Sequence, residues 1–67
     1  MQIVVNGDPM EVAQGLTLEE LLERLGVRIA YVAASLNREV VRRGSYATTV
    51  LREGDRVEIV HPMAGGS

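Results

Sequence analysis

Hydrophobic and polar residues alternate at both ends of the chain, and this period of two is typical of half-buried strands. Gln2-Ile3-Val4-Val5 and Met10-Glu11-Val12 predict the two strands of a hairpin, which the turn-forming run Asn6-Gly7-Asp8-Pro9 would join. Ile3 and Val5 are then expected on one face.

The clearest alternation is Arg56-Val57-Glu58-Ile59-Val60, which follows a turn predicted at residues 51–55. We expect a strand here with Val57 and Ile59 pointing inward. Arg56, Glu58 and Val60 would then point outward.

A helical period replaces the alternation in the first half of the chain. Thr17-Leu18-Glu19-Glu20 matches a capping box, in which a threonine hydroxyl and a glutamate carboxylate satisfy the first amides of a helix. The apolar stripe of this helix is expected to comprise Leu18, Leu21, Leu22 and Leu25. Gly26 is placed to end it in a left-handed conformation.

The middle of the chain predicts a second hairpin. An extended run over residues 30–36 would put Val32, Ala34 and Leu36 on one face, and a turn at Asn37-Arg38 would lead into a short return strand over residues 39–41. Residues 42–50 show no clear period and are interpreted as a connecting loop that can contain one helical turn. Either Tyr46 or Val50 would pack beneath it.

This order of elements predicts an α+β domain in which one main helix packs on one face of a mixed sheet of four to five strands. It resembles the β-grasp, or ubiquitin-like, fold. That resemblance implies that the first and last strands lie side by side and parallel at the sheet centre. We expect the domain to span residues 1–63 and a flexible tail to span residues 64–67.

Composition removes several classes of function. With 67 residues, the chain can form one small domain without a deep active site, and with no cysteine it offers no thiol nucleophile or thiolate metal site. A net charge of -2 argues against nucleic acid as the main partner. Because no signal peptide or membrane-length apolar run is visible, the expected location is the cytoplasm, away from membranes.

The tail reads Ala64-Gly65-Gly66-Ser67. Glycine accepts backbone conformations that other residues avoid, so a narrow channel in another protein can admit it. Taken alone, Gly-Gly-Ser is equally typical of a flexible linker.

The residues that precede the tail favour a specific function for it. The set that carries a resemblance is Val5-Asn6-Gly7, Thr17-Leu18-Glu19-Glu20-Leu21-Leu22, Val32-Ala33, Leu36-Asn37, Glu53-Gly54-Asp55-Arg56-Val57-Glu58-Ile59-Val60 and Ala64-Gly65-Gly66. In this order and over nearly the whole chain it resembles the ThiS family, the sulfur carriers of thiamine thiazole synthesis.

The resemblance implies that the carrier has no catalytic residues and no stably bound cofactor or metal. A ThiF-like enzyme would use ATP to adenylate the carboxyl group of Gly66, a sulfur-donor system would convert it to a thiocarboxylate, and a ThiG-like thiazole synthase would receive the sulfur. Ala64 and Gly65 would let the tail thread into these partners.

Ser67 departs from a family whose working form ends in Gly-Gly. We expect that Ser67 must be absent for activation. A peptidase would then remove it, unless the serine is an added residue or the chain is not a competent carrier.

A docking surface is expected beside the tail. Under the β-grasp arrangement, Val4, Ala33 and Val60 would be neighbours on the open sheet face, and Pro62 and Met63 would extend this patch. Scattered surface valines are an equally good interpretation. His61 is interpreted as an exposed strand residue because nothing catalytic is arranged near it.

Other functions remain open. A MoaD-like subunit of molybdopterin synthase and a tRNA-thiolation carrier share the tail chemistry, and a ubiquitin-like protein modifier shares the tail. An RNA-binding module similar to the TGS domain is a more distant alternative. Its basic face would comprise Arg38, Arg42, Arg43, Arg52 and Arg56, but the chain lacks aromatic stacking platforms for it.

Overall fold

A computed structural model describes residues 1–61. Two hairpins, one α-helix, two 3₁₀-helices and a last strand follow one another along the chain. Their bounds are β1 Gln2–Val5, β2 Asp8–Glu11, α1 Leu18–Arg24, a first 3₁₀-helix Ile29–Tyr31, β3 Ala33–Leu36, β4 Glu39–Val41, a second 3₁₀-helix Arg43–Thr48 and β5 Arg56–Val60.

The five strands form one mixed sheet in the order β2-β1-β5-β3-β4. β5 lies at the centre, parallel to β1 and antiparallel to β3. The predicted α+β architecture and the parallel pairing of the first and last strands are confirmed. The last strand is thus held on both sides before the chain leaves the sheet.

The helix α1 begins at the predicted capping box. The Glu20 amide donates to Thr17 Oγ1 at 3.1 Å, and the Thr17 amide donates to Glu20 Oε1 at 3.0 Å. Three leucines of the predicted stripe are fully buried, namely Leu18, Leu21 and Leu22. Leu25 is different, because it caps the helix and keeps 37% of its surface exposed. Gly26 follows with a φ of 73°, as expected for a helix end.

Both hairpins turn through two residues with positive φ, the backbone that a type I′ turn requires. These residues are Asn6 (50°) and Gly7 (88°) in the first turn, and Asn37 (52°) and Arg38 (73°) in the second. The first turn is shorter than predicted, since Asp8 and Pro9 already belong to β2. Pro9 is compatible with β2 because this strand lies at the sheet edge.

Two connecting segments differ from the expectation. The predicted strand over residues 30–36 begins only at Ala33, because the first 3₁₀-helix brings the chain from α1 to the sheet and leaves Tyr31 62% exposed. The unassigned segment after β4 contains the second 3₁₀-helix. Of the two candidates for packing there, Tyr46 is buried and Val50 is 51% exposed.

The core lies between α1 and one face of the sheet. Its buried members are Ile3, Val12, Leu16, Leu18, Leu21, Leu22, Val32, Ala34, Tyr46, Leu51 and Val57. Val5, Leu36 and Ile59 pack against this cluster with part of their surface exposed, so the predicted inward faces are confirmed. The opposite face of the sheet is called the open face below, and no helix of residues 1–61 packs on it.

Candidate functional site

The chain leaves the sheet from its central strand. β5 ends at Val60, and His61 is exposed one residue beyond the strand. The predicted tail residues Ala64, Gly65 and Gly66, together with Pro62, Met63 and the domain boundary after residue 63, lie outside the described residues. The structure therefore bears on the surfaces that surround the start of the tail.

An apolar patch lies on the open face beside this point. Ala33 is the direct cross-strand partner of Val60, which is 59% exposed. Val40 on β4 is 81% exposed and pairs with Ser35, the residue that also pairs with Glu58 on β5. A shallow depression of about 200 Å³ runs between Ala33, Val40 and Val60. These three residues are called the apolar patch.

The prediction that Val4 joins this patch is wrong. Val4 pairs with Arg56 at the start of β5, whereas Ala33 pairs with Val60 at its end. Four residues of strand separate the two positions, or about 13 Å at 3.3 Å per residue. Alternation assigned Val4 to the correct face, but its place along the face depends on the register between β1 and β5.

Val40 is the member of the patch that sequence reasoning missed. A three-residue strand carries little alternation, and Val40 and Val41 look equivalent in the sequence. The signal was the two-residue turn at Asn37-Arg38, which pairs Leu36 with Glu39 and therefore Ser35 with Val40. That register turns Val40 to the open face.

Charged side chains lie on the open face next to the patch and toward the start of β5. Glu58 borders the depression, and Arg38 and Arg56 line a smaller cavity of about 90 Å³ together with Val4. Within residues 1–61 the single ion pair joins the Met1 amino group to the Glu11 carboxylate at 3.3 Å. Arg38 and Arg56 therefore have no internal acid partner in the described part of the chain, and their charge is available to a docking protein.

A second concavity lies on the helix side of the sheet. It is an open groove of about 410 Å³ with both apolar and polar lining residues. It is lined by Val5, Asn6, Asp8, Pro9, Met10, Leu25, Val27, Ile59 and His61. The groove explains why Leu25 is partly exposed.

His61 is one of the residues that line the groove. It is exposed, as predicted, but it lies one residue after β5 and not within the strand. Among residues 1–61, no group of three His, Asp or Glu side chains is arranged to hold a metal ion.

Each turn asparagine binds the central strand through its side chain. The Ile59 amide donates to Asn6 Oδ1 at 2.8 Å, and the Arg56 amide donates to Asn37 Oδ1 at 2.9 Å. Asn37 Nδ2 also donates to Asp55 Oδ1 at 3.1 Å. The sequence predicted both asparagines as turn residues only, because contacts across 53 and 19 positions leave no local pattern.

Helix length also bears on membranes. The one α-helix of the described residues has seven residues, and no helix among them is long and apolar enough to cross a membrane.

Several known proteins are similar to this chain in sequence and in fold. The model of the ThiS family matches residues 3–66. The chain is 38% identical to the sulfur carrier protein ThiS of Escherichia coli over 66 residues, which cover 98% of this chain and 100% of that protein. It is also 46% identical to a thiazole synthase of Magnetococcus marinus, covering 98% of this chain but only 20% of that protein. The chain thus spans about a fifth of the length of that relative.

A solved structure gives the same result for the fold. The crystal structure of the thiamine biosynthesis protein (ThiS) from Geobacter metallireducens superposes with a TM-score of 0.88 at 40% identity, covering 98% of this chain and 100% of that one. The five-stranded mixed sheet with one main helix is thus the β-grasp fold. Because the family match extends over almost every residue and the fold agrees, the chain belongs to the ThiS family.

Proposed function

We propose that this protein is a sulfur carrier of thiamine biosynthesis that transports sulfur as a thiocarboxylate on Gly66. The observation that carries the proposal is the similarity to a named sulfur carrier over 98% of this chain and the whole of that protein. The family match continues through Gly66. In this function the chain is the substrate of other enzymes.

The chemistry needs an activating enzyme. A terminal carboxyl group is an anion at neutral pH and resists nucleophiles. Hydrolysis of the Gly66–Ser67 peptide bond would first free the Gly66 carboxylate. A carboxylate oxygen of Gly66 would then attack the α-phosphorus of ATP and release pyrophosphate, which gives an acyl adenylate. A sulfur nucleophile would then form the carbon–sulfur bond while AMP leaves with the oxygen. Because the chain has no cysteine, a separate donor system must supply that sulfur, and a ThiF-like enzyme must bind the ATP.

The acceptor of the sulfur is proposed to be a ThiG-like thiazole synthase. Two relatives named thiazole synthase contain a segment similar to nearly all of this chain, and this segment occupies 20% and 21% of their lengths. A carrier joined to its acceptor in one polypeptide reaches it at high effective concentration. This arrangement supports a direct contact between the two proteins.

The apolar patch is proposed to dock the adenylating enzyme. Its two valines are 81% and 59% exposed, and they lie where the central strand delivers the tail. Arg38 and Arg56 on the same face add charge that can orient the partner. Pro62 and Met63 would continue the contact toward the active site. Val4 belongs to the neighbouring arginine-lined cavity rather than to this patch.

The tail provides reach. The three residues Ala64, Gly65 and Gly66 can span about 10 Å when extended. The domain can therefore remain outside the partner while Gly66 enters its active site. The single methyl group of Ala64 and the lack of a side chain at Gly65 would suit a narrow channel.

The position of the carboxyl group can be tested by intact-mass measurement. The chain ending at Gly66 and the chain ending at Ser67 would each be incubated with a ThiF-like enzyme, ATP and a sulfur donor. We expect the mass increase of one oxygen-to-sulfur exchange only in the chain that ends at Gly66, because activation requires the glycine carboxyl group. Exchange with Ser67 still attached would contradict the role of Gly66, and no exchange in either chain would contradict the carrier function.

A further inference from the structure

The two turn asparagines perform the same structural task at different points of β5. Each has a left-handed backbone, and each accepts one amide of the central strand with its side-chain oxygen. The amide bound by Asn37 belongs to Arg56, the first residue of β5, and the amide bound by Asn6 belongs to Ile59, near its end. The second contact therefore lies at the end of β5 from which the chain continues toward the tail.

The Asn6 side chain adds one hydrogen bond to the β1–β5 ladder beyond the point where the backbone of β1 ends. The Val4 and Asn6 amides donate to the carbonyls of Asp55 and Val57, both at 2.9 Å. Alternate residues of β5 face β1, so the next group after Val57 to do so is the amide of Ile59. β1 has already turned away at Gly7. The Asn6 side-chain oxygen therefore occupies the place that a backbone carbonyl would take in a longer β1.

We propose that Asn6 is a positioning residue for the sulfur-bearing tail, an inference that rests on the proposed carrier function. On the β3 side, the end of β5 is held by the pairing of Ala34 with Ile59 and of Ala33 with Val60. On the β1 side it is held by Asn6. In this role the contact fixes the direction in which the chain leaves β5 at Val60, next to the apolar patch.

The expected loss of kcat depends on the length of chain between Ile59 and Gly66. Gly66 lies seven residues beyond Ile59, or about 23 Å of extended chain. A misplacement of about 1 Å at a reacting group can slow a reaction on the order of a hundredfold. The glycines absorb part of any error, so we expect a fall in kcat for adenylation on the order of tenfold when the Asn6 contact is lost. KM for the carrier should change little, because the apolar patch is intact.

The test compares three variants of the chain ending at Gly66. Asn6→Gly removes the acceptor and keeps the left-handed backbone, which glycine adopts without strain. Asn6→Asp keeps an acceptor oxygen. Asn37→Gly is the matched control, since it removes the corresponding acceptor and an additional bond to Asp55, and so destabilises the fold at least as much.

Two measurements are made on each variant. Amide exchange should accelerate about tenfold or more at Ile59 in Asn6→Gly and at Arg56 in Asn37→Gly. Pyrophosphate release by the ThiF-like enzyme should lose kcat in Asn6→Gly, while Asn37→Gly and Asn6→Asp keep kcat close to wild type. Equal kcat values for the two glycine variants would overturn the inference, as would an Asn6→Gly variant with wild-type kcat.

Failure of the carrier function can be told apart from failure of this inference. A wild-type chain that is not adenylated would contradict the proposed function itself. The ¹⁵N relaxation of residues 60–63 then decides whether Asn6 holds the start of the tail. Order at these residues that is the same in Asn6→Gly and wild type would overturn the inference.

Discussion

The two hairpins show how one architectural unit can serve two purposes within a small domain. Each has a two-residue turn that begins with a left-handed asparagine, and each binds β5 through that side chain. They differ in what they present to the outside. The first hairpin places β1 parallel to β5 and binds the end of β5 through Asn6. The second hairpin places β3 antiparallel to β5 and supplies Ala33 and Val40 to the apolar patch.

The two edge strands, β2 and β4, also differ in what they expose. β2 carries Pro9, whose missing amide discourages pairing with a further strand. β4 carries Val40 with 81% of its surface exposed. Pro9 thus makes the β2 edge a poor partner for a further strand, whereas Val40 on β4 and its neighbour Val60 on β5 are exposed. This contrast separates the hairpin that supports β5 from the hairpin that we propose to dock the partner.

The largest expected effect comes from the core contact of the first hairpin. Ile3→Ala should destabilise the fold by about 2–5 kcal/mol, because Ile3 is fully buried beneath α1 and its removal leaves a cavity. Val40→Ala on the second hairpin should stay within about 0.5 kcal/mol, since the side chain is exposed. Urea unfolding measures both variants, and similar losses would remove the distinction between the hairpins.

The next effect concerns docking. Val40→Asp and Val60→Asp should each weaken binding to the ThiF-like enzyme about tenfold or more, which corresponds to about 1.4 kcal/mol, because each places a charge within the apolar patch. Val50→Asp is the matched control, since Val50 is 51% exposed and lies outside the sheet. Titration calorimetry would provide the affinities. Wild-type affinity in both patch variants would contradict the docking role of the second hairpin.

The last prediction distinguishes the two hairpin turns. Gly7→Ala should cost about 1–2 kcal/mol, because Gly7 has a φ of +88° with no atom within 4 Å of an added Cβ, so the penalty is purely conformational. Arg38→Gly should stabilise the second turn by at most about 1 kcal/mol, since glycine relieves the backbone at a φ of 73° but loses more entropy on folding. Thermal unfolding should thus move in opposite directions. A lower midpoint for Arg38→Gly would show that the arginine side chain contributes to the turn.

Much of the fold could be predicted because its signals are local. The capping box of Thr17 and Glu20, the turns at Asn6 and Asn37 and the alternation of β5 each lie within a few residues, and the structure contains all of them. The start of the third strand was predicted wrongly, because its local pattern did not show how the chain connects α1 to the sheet. The first 3₁₀-helix occupies the beginning of that predicted strand, since the chain must cross from α1 to the sheet before it can pair.

The sequence predicted the face of the sheet that carries the apolar patch, but only part of its residues. Alternation put Val4, Ala33 and Val60 on the open face, and the structure keeps Ala33 beside Val60 but moves Val4 to the other end of β5. Register between strands far apart in sequence is a tertiary property. The roles of Gly65 and Gly66 stay predictions, carried by the family match, because these residues lie outside the described part of the chain.

The local elements, the lack of a thiol group and the family follow from residue types at short spacing or from their order along the chain. Two features of the site do not follow from such patterns, namely the meeting of Val40 and Val60 in the apolar patch and the bond between Asn6 and Ile59. Both depend on how the hairpins align against the central strand. A shift of that register would preserve every local pattern and still separate the residues that form the site.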